Sequence, residues 1–154
     1  MSAIKGFRPT IFIVETDEEA RRLLYRAFRG AGFKVLLASS GQAAVKLYRG
    51  VQSSVVAVFV SAQRPVLNAC RLLAALKQIN PLVRCVVATE LTPDDELLPL
   101  VRQGAAGLLA KPLIVKQAVA EVARVMESDW ITPVSRAPRR RAGKPRCRSS
   151  SASL

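Results

Sequence analysis

The sequence predicts an α/β fold: a doubly wound parallel sheet with helices on both faces. Three observations carry this expectation. Five short apolar β-type runs alternate with five stretches of helical periodicity. The third run, Val55 to Val60, is apolar without interruption, as a strand buried on both faces must be. Half of the residues are hydrophobic but only 5% are aromatic, so the core is built from Leu, Val, Ile and Ala. At 154 residues the chain is long enough for one domain with a proper core and a short appendage.

The elements follow in order. Thr10 to Val14 is the first strand. From Asp17 to Ala31, residues Ala20, Leu23, Leu24, Ala27, Phe28 and Ala31 recur at helical spacing. Thr16 and Glu19 have the spacing of a capping box, and Gly32 suits the helix exit. Lys34 to Ala38 is the second strand. Ser40-Gly41 opens a helix that turns Ala44, Leu47 and Tyr48 inward. After the third strand and a loop through Pro65, a helix carries Ala69, Leu72, Leu73 and Leu76, and Asn80-Pro81 stops it. Arg84 to Ala88 is the fourth strand. Thr92-Pro93-Asp94-Asp95-Glu96 combines a capping hydroxyl, a proline at the first helical position and acids at the positive end of the helix dipole. Gly104 closes that helix. Gly107 to Ala110 is a short fifth strand, and the last helix shows Val115, Ala118, Val119, Val122 and Met126.

Several classes of chemistry are excluded or disfavoured by residue type. The chain contains no histidine, which removes the commonest general base and every Ser-His or Cys-His pairing. Cys70, Cys85 and Cys147 are widely spaced and form no C-x-x-C, which speaks against a zinc site or a disulfide framework. Cys70 and Cys85 fall on apolar positions and read as small core residues. No apolar stretch approaches the roughly 20 residues of a membrane span, and the first residues lack the apolar core of a signal peptide. The expected location is the cytoplasm.

In a sheet of this kind the functional crevice lies beyond the carboxyl ends of the strands. Those ends supply Glu15, Thr16 and Asp17; Ser61; Thr89 and Glu90; and Lys111, which precedes Pro112. There is no Gly-rich phosphate loop at any of them.

Taken together, Val14-Glu15-Thr16-Asp17 entering a helix, Pro65 four residues after Ser61, Thr89 after the fourth strand and Lys111-Pro112 after the fifth resemble the receiver domain of bacterial response regulators. The resemblance covers about residues 9–127. It implies a flavodoxin-like (βα)5 fold with strand order 2-1-3-4-5, and a role in two-component phosphorelay signalling rather than enzyme catalysis. In that family two acids after the first strand and an aspartate after the third hold magnesium, and the aspartate accepts a phosphoryl group from a histidine kinase. A Thr or Ser after the fourth strand and the lysine bind the phosphoryl oxygens, and an aromatic on the fifth strand turns with them.

Here the pattern is degenerate. Glu15 stands for the first acid, Thr16 for the second, and Ser61 for the phosphoacceptor. Thr89 and Lys111 match, the Lys111-Pro112 bond is expected to be cis, and Leu108 occupies the switch position. Magnesium requires hard charged oxygens in octahedral array, and Glu15 and Asp17 are the remaining candidates, so binding is expected to be lost or weak. A serine without a base is a weak nucleophile. Lys111 is expected to pair with Glu15 or Asp17. The bland readings are a helix cap at Thr16, core packing at Leu108 and a chain break at Pro112.

The implied protein is a stand-alone pseudo-receiver that works by binding a signalling partner or a second copy of itself. The contact surface implied by the resemblance is the fourth helix, fifth strand and fifth helix, roughly Thr92 to Met126, where Leu97, Leu98, Leu100 and Val101 exceed the apolar needs of one buried face. Residues 128–154 carry close to half of the formal charge of +13 and are expected to be a disordered basic tail, with 1–8 a short N-terminal extension. The alternative function lies in that tail: Arg139, Arg140, Arg141, Lys144, Arg146 and Arg148 suit non-specific contact with phosphate backbones, with Trp130 available for stacking.

Overall fold

A computed structural model of the chain describes residues 8–62, 66–90 and 98–131, with 66–67 and 128–131 described as backbone only. The elements alternate throughout: β1 (Thr10–Val14), α1 (Glu18–Gly30), β2 (Lys34–Ala38), α2 (Gly41–Val51), β3 (Val55–Ser61), α3 (Val66–Ile79), β4 (Cys85–Glu90), α4 (Leu98–Arg102), β5 (Gly107–Lys111) and α5 (Val115–Ile131). The five strands form one parallel sheet in the order β2-β1-β3-β4-β5, as expected. The Lys111-Pro112 bond is cis.

Strand alternation splits the core into two layers. Phe12, Val14, Val58 and Val60 face one side and pack with Tyr48 of α2, Leu72, Leu73 and Leu76 of α3, and Leu100 of α4. Ile11, Ile13, Ala57 and Phe59 face the other side and pack with Leu24 and Phe28 of α1 and Ala118, Val122 and Val125 of α5. The Phe12 and Tyr48 rings stack at 6.3 Å, and Asn80 Nδ2 donates to Tyr48 Oη at 3.1 Å, tying the C-terminal end of α3 to α2. Burial raises the Tyr48 hydroxyl pKa, and the Asn80 hydrogen bond works against that rise. Cys70 and Cys85 are buried in this layer, as expected for core residues.

Several details differ from the sequence expectations. Leu23 of α1 and Leu47 of α2 lie on the outer shoulders of their helices, 51% and 39% exposed, although both fit the apolar period. The cap of α1 is Asp17, not Thr16: Asp17 Oδ2 accepts from Ala20 N at 2.8 Å. Thr16 and Glu19 therefore do not form the expected capping box. Ser40 caps α2 as expected, its Oγ accepting from Ala43 N at 3.1 Å. Strands β4 and β5 run on to Glu90 and Lys111, which pair with each other. Helix α5 extends to Ile131, past residue 127 where the domain was expected to end. The cause is local: Glu127 to Ile131 contains no Gly or Pro, and Pro133 is the first helix breaker. The expected helix start at Thr92 and the segment 132–154 lie outside the described residues.

Candidate functional site

The described residues include three buried polar or charged side chains, and all three lie at the carboxyl edge of the sheet: Glu15 (4% exposed), Ser61 (7%) and Thr89 (2%). Topology brings them together. Val14 pairs with Val60, which places Glu15 beside Ser61 at the next step of the ladder. Ser61 pairs with Ala88, which places Thr89 one step further along the neighbouring strand. Lys111 ends the strand beyond, and its Nζ reaches across to donate to Ala62 O at 2.8 Å. The ammonium is thus fixed beside the end of β3.

Several members of the crevice have a definite partner. Glu15 Oε2 accepts from Asp17 N at 2.9 Å, while the Glu15 carbonyl accepts from Arg21 Nη1 at 2.9 Å. Asp17 spends its carboxylate on the α1 cap and is exposed. Thr16 is exposed as well, and its carbonyl accepts from Arg21 Nη1 at 3.3 Å. Lys111 makes no ion pair with Glu15 or Asp17 among the described residues, contrary to expectation; its Nζ donates to the carbonyl of Ala62. Ser61 Oγ is buried with no hydrogen-bond partner among the described residues. A buried hydroxyl without a partner costs about 1–3 kcal/mol, so it marks a position whose side chain is not optimised for the resting fold.

The remaining positions are simpler. Leu108 is partly buried and packs on the α2–α4 layer of the core. Pro112 follows the cis bond and leads into the turn before α5. Sequence reasoning overlooked Arg21 and Ala62. Arg21 binds two consecutive carbonyls of the first loop, and Ala62 supplies the acceptor for Lys111. Arg21 was visible as a charged residue one turn into α1; a backbone carbonyl leaves no signal in a sequence.

The sequence profile of the response regulator receiver domain matches residues 11–123. The chain belongs to that family. Among curated relatives, the transcriptional regulatory protein PrrA of Mycobacterium leprae is 27% identical over 128 residues, which are 82% of this chain and 54% of PrrA. The DNA-binding transcriptional regulator NtrC of Escherichia coli is 28% identical over 120 residues, covering 77% of this chain and 25% of NtrC. This receiver domain therefore spans about half or less of the length of those relatives. Solved structures show the same fold. A receiver domain protein from Clostridium thermocellum superposes with a TM-score of 0.72 at 18% identity, covering 79% of this chain and 97% of that one. The CheX–CheY complex of Borrelia burgdorferi, solved with BeF3 and magnesium, gives 0.71 at 20% identity over 78% of this chain and 90% of that one.

Within that family a receiver domain serves two-component signalling, and among the described residues no helix is long and apolar enough to cross a membrane.

Proposed function

We propose that this receiver domain signals by protein–protein contact without aspartyl phosphorylation. The observation that carries the reading is Ser61: the residue at the acceptor position is a buried hydroxyl with no hydrogen-bond partner among the described residues. A neutral serine hydroxyl does not attack a phosphoryl donor unaided, and Glu15 on the neighbouring strand accepts from the amide of Asp17 rather than from Ser61. The donor set also does not fit magnesium. Glu15 offers one carboxylate, Thr16 is neutral, and Asp17 caps α1. Lys111 then acts as a fixed strut between β5 and the end of β3 rather than as a phosphate clamp.

The contact surface in this reading is the α4–β5–α5 face. Leu98 and Val101 of α4 are 48% and 53% exposed, and Ile114, just before α5, is 53% exposed, while Leu100 between the two α4 residues is fully buried. Three large apolar side chains left outside the core on one edge of the sheet suit a signalling partner or a second copy of the chain. The expected location remains the cytoplasm.

The test is incubation of the full chain with acetyl phosphate and magnesium, followed by intact-mass analysis. The expected result is no mass increase. Stoichiometric phosphorylation at Ser61, lost in Ser61→Ala, would overturn the reading.

A further inference from the structure

Between Ala20 and Thr89 the sequence contains no aspartate or glutamate, so every formal charge in that stretch is a lysine or an arginine. The stretch folds as nearly all of α1, then β2, α2, β3, α3 and most of β4. One consequence is a groove of about 770 Å3 between α2 and α3 that no carboxylate lines.

The groove is built by two helix faces. Gln42, Val45, Lys46 and Arg49 are spaced i, i+3, i+4 and i+7 along α2, and Asn68, Arg71, Leu72 and Ala75 repeat that spacing along α3. Its floor is apolar: Ala43 and Val45 pack on the core beneath, Leu72 belongs to it, and Ala75 is half-buried. Its rims are cationic, since Lys46, Arg49 and Arg71 are exposed. The Arg22–Glu18 and Arg124–Glu121 salt bridges lie on α1 and α5, away from this groove. The Tyr48–Asn80 hydrogen bond holds the two helices together at the far end, so the groove is a standing feature of the fold.

We infer that this groove docks an acidic amphipathic helix of a partner protein. Three parts of the geometry select that occupant. The α2–α3 furrow has the shape in which a third helix lays its apolar face, anchored at i, i+3 or i+4 and i+7. The apolar floor rewards leucine-like anchors, which a nucleic-acid backbone does not offer. The rims, all of one sign, complement glutamates on the flanks of the docked helix and raise its rate of encounter. The groove lies on the α2–α3 layer, separate from the α4–β5–α5 face, so this contact stands or falls independently of the reading above.

The test uses the full chain at moderate salt and a fluorescein-labelled peptide of about four helical turns, with leucines at i, i+3, i+4 and i+7 and glutamates elsewhere. Fluorescence anisotropy should show saturable binding that weakens about tenfold or more in the double variant Arg49→Glu, Arg71→Glu and persists in Arg49→Lys, Arg71→Lys. Binding of a random-sequence duplex should be unchanged by the charge reversal. Circular dichroism melts of both variants establish that the fold is intact, as expected for exposed positions. Absence of peptide binding overturns the inference. So does peptide binding indifferent to the charge reversal, or equal binding of poly-glutamate of the same length, since either would mean that the apolar floor and its rims are not the recognition element.

Discussion

Ser61 is the position where fold and chemistry part company. Its hydroxyl is buried at the carboxyl edge of the sheet without a hydrogen-bond partner among the described residues. Ser61→Ala should therefore raise stability by about 1 kcal/mol, because it removes an unsatisfied polar group at almost no cost in volume. Urea unfolding measures this directly; a loss of stability would mean that the hydroxyl is bonded in solution. Cys85 makes a second prediction at this scale. It is fully buried, and burial pushes its thiol from the ordinary 9.0 up to about 12. The folded state thus holds a proton that the unfolded state releases, so the contribution is intact below pH 9 and is lost as pH rises towards 12. Three pKa units correspond to about 4 kcal/mol at most. Urea titrations at pH 8 and pH 11 should show wild type losing more stability than Cys85→Ala over that interval. Equal losses would place the alkaline sensitivity elsewhere, with the buried Tyr48 hydroxyl the next group to test.

Among the elements, the strands and the inward positions of α3 and α5 were legible, because short unbroken apolar runs stand apart from a 3.6 period. What was not legible turned on competition between neighbours. Thr16 was read as the cap, with Asp17 as the first residue of the helix, yet Asp17 took the amide of Ala20. Lys111 was expected to find a carboxylate, yet the strand register delivers it to a carbonyl. Similarly, Leu23 and Leu47 satisfy the apolar period while lying at the margin of the buried stripe, which a sequence cannot place to better than one residue. Helix α4 shows the same margin put to use. Leu100 is buried while Leu98 and Val101 on either side are about half exposed. Leu98→Glu with Val101→Glu should change stability by less than about 0.5 kcal/mol, since neither side chain is in the core. If the α4–β5–α5 face joins two copies, sedimentation velocity will show a concentration-dependent dimer for wild type and a monomer for the double variant. A wild type that stays monomeric at high concentration would assign the face to another protein.

At the scale of the whole molecule, charge is distributed more unevenly than composition suggests. The acid-free stretch 20–89 makes the β2 side of the sheet cationic, while the described acids gather at the entrance to α1, at the end of β4 and on α5. The Arg-rich segment adds a second cationic region, and its six named residues, Arg139 to Arg148, lie outside the described residues. Because α5 runs to Ile131, a truncation that separates the two regions belongs after that residue and not after Glu127, which would remove the last turn of the helix. Anisotropy with a random duplex then distinguishes them. Counterion release predicts that log affinity falls linearly with log salt, with a slope of about −0.9 for each phosphate neutralised. If the C-terminal segment is the contact, the full chain should show a slope no steeper than about −5, and residues 1–131 should bind far more weakly with a shallow slope. Equal binding by both would move the nucleic-acid contact onto the cationic side of the folded domain. The phosphates and the acidic helix would then compete for one surface, and the α2–α3 groove would lose its claim to selectivity.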